Sequence, residues 1–340
     1  MSDAGAPEQA VGRPRTTDLV LEGGGVKGVA LVGAATALDE AGWRFARVAG
    51  SSAGAVVGAV VAAMQHAGEP MSRVDEIMRT IDYRRLRDRR PVARALGWLP
   101  RVADAWGALL HLGAYRGRYL EQWVEGVLAD LGVRTFGDLA LDDPDGSLGP
   151  DRSFRLVVTA SDLSRQRLLY LPWDLPDQGL DPASFPVARA VRASSAIPFA
   201  FEPVRLRGRH GVSTLVDGSV LSTYPIDAFD RTDGRPPRWP TVGVRLSSPA
   251  DERAPAVPVG GPVSLLWNLV HTTIDSTQVR HVSDPFDVER SIFARPRGVA
   301  TMDFDITPAQ QDRLFAAGLE AGRRWVARHP DGPPLVRAAG

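Results

Sequence analysis

Two glycine-punctuated turns near the N-terminus constrain this 340-residue chain more than any other feature. The first, "LEGGGVKG" (Leu21–Gly28), follows the short apolar run "DLVL" and precedes "VALVGAATALDEAG", which has helical spacing and a glycine stop at Gly42. The second, "GSSAG" (Gly50–Gly54), follows "FARVAG" and precedes "AGAVVGAVVAAMQHAG", a small-residue run stopped at Gly68. Short apolar runs that end at glycine and open into helical patterns predict two successive strand–turn–helix units. That order is the signature of an α/β sheet protein.

Each turn carries its own chemistry. Gly23, Gly25 and Gly28 fit G-x-G-x-x-G, the dinucleotide fingerprint. A dinucleotide fold also needs an acid near the end of the second strand to hold the ribose hydroxyls. Here "RVAG" runs straight into Ser51 and Ser52. A phosphate-binding loop fails too, since no G-x-x-x-x-G-K-[ST] occurs. What the glycine loop does offer is a row of backbone N–H groups at a helix N-terminus, where negative charge is stabilised. During acyl transfer the same amides would form an oxyanion hole. G-x-S-x-G at a strand-to-helix turn puts its middle serine, Ser52, on a sharp elbow with the hydroxyl exposed. Gly50 and Gly54 give that elbow room, with Ser51 and Ala53 between them. Ser52 is the candidate nucleophile.

A serine hydroxyl needs a base. His66 and His329 fall near helix ends, His210 in a basic loop and His111 in an apolar segment. His271 and His281 follow Asp217, so a Ser…Asp…His order is available, although neither lies where a strand meets a loop. Asp217 is better placed. It closes the apolar run "TLV" and precedes Gly218, so its carboxylate emerges at a strand end, where active sites of α/β sheets gather. Shielding from water there would raise its pKa toward that of a base. Taken alone, Asp-Gly is an ordinary turn.

Composition narrows the remaining classes. Apolar content of 44% and charged content of 24% are those of a globular protein. Forty basic and forty acidic residues cancel, so no overall field recruits nucleic acid, and none is expected as a partner. The absence of cysteine excludes disulfides, thiolate nucleophiles and cysteine zinc sites. With no H-E-x-x-H or EF-hand pattern, neither a metal nor a cofactor is expected. Residues 1–17 are polar, without an apolar core segment, and are expected to form a disordered tail rather than a signal peptide. The longest apolar run, Ala53–Met64, is too short to span a bilayer. The expectation is a cytoplasmic protein whose contact with membranes, if any, is peripheral.

Further strands are expected at "SFRLVVTASDL", "QRLLYLPW", "STLVDGSV" and "PTVGVRLSS". Helices are expected at "FPVARAVRASSAIP", at Val263–Val279 and in the capped segment "TPAQQDRLFAAGLEAGRRWVARH". Met71–Val133 reads as mostly helical, broken at Pro91 and Pro100. With no repeat and no long linker, residues 18–335 are expected to form one domain. Arg84, Arg85, Arg87, Arg89, Arg90 and Arg94 crowd one stretch, relieved only by Asp88. From Leu99 the apolar residues Val102, Trp106, Leu109 and Leu110 follow at helical spacing, with Trp98 flanking them. This segment is either a basic loop before a core helix or a lid that meets anionic head groups.

Taken together, "GGGVKG", "GSSAG" and "VDGS", in this order, resemble the patatin-like phospholipase domain. "ARAVRASSAIPFAFEPV" and the helix after "FDIT" match as well, so the resemblance covers roughly residues 18–330. It implies a three-layer α/β/α fold with a mostly parallel central sheet, a Ser–Asp dyad without histidine, and hydrolysis of lipid acyl esters. Ser52 is then the nucleophile and Asp217 the proton acceptor. Gly24, Gly25 and Val26 carry the oxyanion amides within Gly23–Gly28, and Lys27 stands at the family's usual basic position and braces the loop. One residue departs from the pattern. Ser219 follows Gly218 where the family normally has glycine or alanine, and its hydroxymethyl group is expected to crowd the turn or to lower the basicity of Asp217. The competing reading is a catalytically weak member that keeps the fold as a lipid-binding or regulatory module.

Overall fold

A computed structural model describes residues 15–89, 112–142, 152–231, 233, 235–246, 259–261, 265, 268–269, 272–273 and 284–335. The two glycine turns join β1 (Arg15–Leu21) to α1 (Val29–Glu40) and β2 (Trp43–Gly50) to α2 (Ala53–Ala67). β1 and β2 pair in parallel, with Leu21 opposite Gly50, so both turns leave the same edge of the sheet. Parallel pairing continues outward through β9 (Thr241–Arg245) and β10 (Ser291–Phe293) on one side and through β4 (Leu156–Asp162) on the other. Three strands then run antiparallel: β5 (Arg167–Leu171) and β8 (Gly211–Asp217) against β4, and β7 (Val204–Gly208) against β8. The sheet order is β10-β9-β1-β2-β4-β8-β7, with β5 beside β4, and helices flank it. A small parallel pair, β3 (Gly113–Tyr115) with β6 (Phe199–Phe201), stands apart.

Both faces of the central strands are covered, which is why they read as continuous apolar runs. Leu19, Leu21, Val48, Leu156 and Val158 point into the helix-covered core. Val20, Ala49 and Val157, one residue out of phase, lie under Tyr224, Ile226 and Phe229. α2 is buried at every residue from Gly54 to Met64 and ends at Gly68 in the left-handed conformation. α3 (Arg118–Asp130) and α4 (Val187–Ser194) complete the wall beside it. The C-terminal α5 (Pro308–Arg328) begins with a capping box between Thr307 and Gln310. It packs on α1 so closely that a Cβ at Gly318 would lie 1.8 Å from the Ala30 carbonyl oxygen.

Several expectations change. β1 starts at Arg15, so residues 15–17, assigned to the polar tail, belong to the sheet. Thr17 is fully buried, and its hydroxyl donates to the Pro240 carbonyl at 2.8 Å, which is what makes a polar residue acceptable there. Among the described residues between Met71 and Val133, short helical segments at Met71–Arg73, Val74–Met78 and Tyr83–Leu86 and the helix α3 follow the helical reading, and the strand β3 interrupts it because it finds its partner β6 far along the chain. The helix expected at Val263–Val279 falls largely outside the described residues, as do Arg90, Arg94, Trp98 and Trp106. The described arginines of the basic stretch make folded contacts. Arg84 and Arg87 reach Asp305 at 3.6 and 2.7 Å, Arg85 lies over Tyr119 and Arg89 over Tyr115. Among the described residues, no helix is long and apolar enough to cross a membrane.

Candidate active site

Ser52 and Asp217 come from strands that do not touch. β4 lies between β2 and β8, pairing Gly50 with Val158 on one side and Asp217 with Ala160 on the other. One strand's width therefore separates the two chain ends, and their side chains close over it. Ser52 Oγ donates to Asp217 Oδ2 at 2.6 Å. Both residues are buried, at 5% and 1% exposure.

The elbow is as sharp as its sequence predicts. Ser52 has φ 51° and ψ −118°, a conformation that costs a non-glycine residue about 1–3 kcal/mol and persists only where its surroundings hold it. Those surroundings include α4. Ser194 Oγ accepts the Ser52 N–H at 2.9 Å, and Ser195 Oγ donates to the Ser52 carbonyl at 3.4 Å. A Cβ at Gly50 would meet the Gly54 carbonyl oxygen at 2.3 Å, so the flanking glycines are required by close approach. Ser194 and Ser195, at the end of α4, were not foreseen as site residues. Their only signal was the pair "SS" before "AIP", and nothing local tied it to a turn over a hundred residues earlier.

Asp217 sits in an apolar surround that penalises its charge, and burial pushes its pKa up to about 6. Three hydrogen bonds pull the other way: from Ser52, from the Ser219 amide to Oδ1 at 2.8 Å, and from the Ser219 hydroxyl. Among the described residues no cation stands beside it. Ser219 thus does what its sequence position suggested, and its hydroxyl also lies 3.2 Å from Ser51 Oγ. It presses on the glycine loop as well, 2.3 Å from where a Cβ of Gly23 would be.

The glycine loop is partly committed to structure. The Gly23 amide donates to the Thr223 carbonyl at 2.9 Å, and the Lys27 amide to the Gly24 carbonyl at 3.3 Å. Val26, expected to offer its amide, donates it to the Thr301 carbonyl at 3.0 Å. That partner lies in a segment with no motif, which is why sequence alone could not find it. Among the described residues the Gly24 and Gly25 amides have no protein acceptor. Gly25 has φ +57°, and a Cβ there would fall 2.0 Å from the Thr301 carbonyl. Gly28 then leads into α1. Glu22, at the base of the loop, is buried, accepts the Leu246 amide and meets Arg245 at 3.4 Å.

Ser52 and Gly25 open onto a cleft whose walls include Val56, Met78, Ile81, Leu86, Leu120 and Phe201. An aliphatic group seated there would lose water along these apolar walls, at about 25 cal/mol per Å² of apolar surface buried. Of the expected site residues, the structure gathers Ser52, Asp217, Gly25, Ser51 and Ser219 at one point. Both late histidines, His271 and His281, fall outside the described residues.

The model of the patatin-like phospholipase family matches residues 19–230. A Bacillus subtilis (strain 168) protein known as the uncharacterized protein YqhO is 38% identical over 307 residues, 90% of this chain and 95% of that protein. Among solved structures, VipD from Legionella pneumophila superposes with a TM-score of 0.49 at 16% identity, over 93% of this chain and 67% of that one. The type III effector protein ExoU gives a TM-score of 0.44 at 17% identity, over 95% of this chain and 54% of its own, so this chain spans about half of it.

Proposed function

We propose that this chain, which belongs to the patatin-like phospholipase family, is a serine acyl hydrolase of lipid esters working through Ser52 and Asp217. The observation that carries the reading is the 2.6 Å hydrogen bond from Ser52 Oγ to a buried carboxylate at the foot of an apolar cleft. A nucleophile in reach of a base, with an acyl-sized slot beside it, is what ester cleavage needs.

The chemistry follows from the two environments. As Ser52 Oγ bonds to the ester carbonyl carbon, its proton passes to Asp217, whose pKa of about 6 suits a base near neutrality. The carbonyl oxygen becomes an oxyanion and takes hydrogen bonds from the Gly24 and Gly25 amides, which carry that role without Val26. Collapse breaks the bond to the alcohol, which leaves with the proton from Asp217. Water then gives a proton to Asp217 as its oxygen attacks the acyl carbon, and on collapse the bond to Ser52 Oγ breaks, Oγ takes the proton back from Asp217 and the carboxylic acid is freed. The cleft holds the acyl chain, and the alcohol leaves on the open side.

The test separates this reading from that of a non-catalytic lipid-binding relative. A fluorophosphonate probe should label the wild type stoichiometrically and leave Ser52→Ala unlabelled. An unlabelled but folded wild type with no turnover of p-nitrophenyl butyrate would rule the hydrolase out.

A further inference from the structure

β8 carries Asp217 at one end and Gly211 at the other, about 20 Å away at ~3.3 Å per residue. At that far end the β4–β5 turn meets the β7–β8 hairpin around a second cavity of about 290 Å³. Its lining is Arg165, Arg167, Asp177, Gln178, Arg209 and His210, so three guanidiniums face one carboxylate. We propose that this cavity is a binding site for a phosphate group, distinct from the Ser52 centre.

The arginines are already held in place. Arg165 bonds the Ser213 hydroxyl, Asp162 at 3.3 Å and the His210 carbonyl at 3.0 Å. Arg209 Nε donates to the Asp177 carbonyl at 3.0 Å and to His210 Nε2 at 2.9 Å. Arg167 reaches Asp177 at 3.5 Å, yet its own Nε–H is buried with no acceptor among the described residues. Gln178, 2% exposed, adds a buried amide to the wall.

Two acids offset part of this charge, Asp162 pairing with Arg165 and Asp177 with Arg167, which leaves the Arg209 guanidinium in excess. Asp162 is fully buried and spent on Arg165 and the Ser164 amide, and the Asp177 side chain is 63% exposed. Guanidiniums converging from the two hairpin ends suit an anion with several oxygens, as a phosphate has. One arginine alone would satisfy a carboxylate. The phosphate belongs either to a lipid head group or to a free ion. Leu163 and Val212, 50% and 45% exposed, flank the site and would meet lipid in the first case.

The experiment uses full-length Ser52→Ala protein, so that no lipid is consumed and the outcome does not depend on the hydrolase reading. Calorimetric titration with inorganic phosphate should show saturable, one-to-one binding. Arg167→Gln with Arg209→Gln should weaken it by about 10-fold or more. Arg209→Gln alone, at an exposed position that cannot unfold the protein, should weaken it severalfold. Co-sedimentation with phosphatidylglycerol–phosphatidylcholine vesicles then identifies the source. Vesicle binding lost in the double variant assigns a lipid head group, and vesicle binding unchanged beside weakened phosphate binding assigns a free ion. Absence of saturable phosphate binding, or equal affinity in wild type and variants, overturns the proposal.

Discussion

Asp18 and Asp217 are buried to almost the same degree, at 0% and 1% exposure, on strands of one sheet, yet they do opposite work. Asp18 meets Arg47 with both oxygens, Nε at 2.8 Å and Nη2 closer still, and Arg47 in turn lies over Phe229 and Trp239. Asp217 is given only neutral donors, a serine hydroxyl and the groups of Ser219. A guanidinium favours the charged form of its partner and keeps it charged, while hydroxyls leave burial in command. The difference teaches that burial alone does not make a base. Burial without a cation does.

The largest effect that would break the comparison is catalytic. Ser52→Ala and Asp217→Asn should each lower kcat/KM for p-nitrophenyl butyrate by about 10³-fold or more, because members of a cooperating pair fail together. His271→Asn and His281→Asn should stay near the wild type. A folded histidine variant as inactive as Ser52→Ala would replace the dyad by a triad.

Next comes stability. Arg47→Met strands the Asp18 charge in the core and should cost about 3–5 kcal/mol in denaturant unfolding. Asp217→Asn should do the reverse and stabilise by about 1–3 kcal/mol at neutral pH. The sign follows from linkage. The folded pKa of about 6 lies above the ordinary 3.8, so the folded state binds the proton more tightly. The penalty is absent below the lower value, grows as pH rises between the two and is full above about 6. If Asp217→Asn unfolds as readily as Arg47→Met, Asp217 is a structural acid and the contrast collapses.

The smallest effects lie in the pH profile. Because the base must be ionised, kcat/KM should climb with pH around a midpoint of about 6 and then level off. Ser219→Ala removes a hydrogen bond that holds the carboxylate's pKa down, so the midpoint should move upward. An unmoved midpoint would show that the Ser219 hydroxyl serves Ser51 and not Asp217.

What the sequence made legible was whatever local chemistry dictates. The glycine stops placed α1 and α2, the elbow fixed Ser52, and an apolar run ending in Asp-Gly fixed Asp217. Contacts made at long range stayed hidden. The Ser194 hydroxyl on the Ser52 amide, the Thr301 carbonyl on Val26 and the Thr17 hydroxyl on Pro240 each join distant segments with no shared pattern. Strands of three residues such as β3, β6 and β10 are too short to show a period. The basic stretch was legible in part: Arg84 and Arg85 are exposed, as its charge suggests, while Arg87 is tied to Asp305, which only the folded chain brings near.

The packing of α5 against α1 has a consequence for the making of the protein. α1 and the glycine loop at its head leave the ribosome well before β9, Thr301 and α5, which lie far downstream of them in the chain. At ordinary elongation rates the wait is on the order of tens of seconds. Throughout it, the small-residue face of α1 that will meet Gly318 is bare, and β1 lacks its β9 neighbour. The nascent chain therefore carries its nucleophile elbow long before the loop opposite is seated. A chain released before α5 emerges therefore holds Ser52 without the helix that packs on α1 and without the Thr301 carbonyl that takes the Val26 amide.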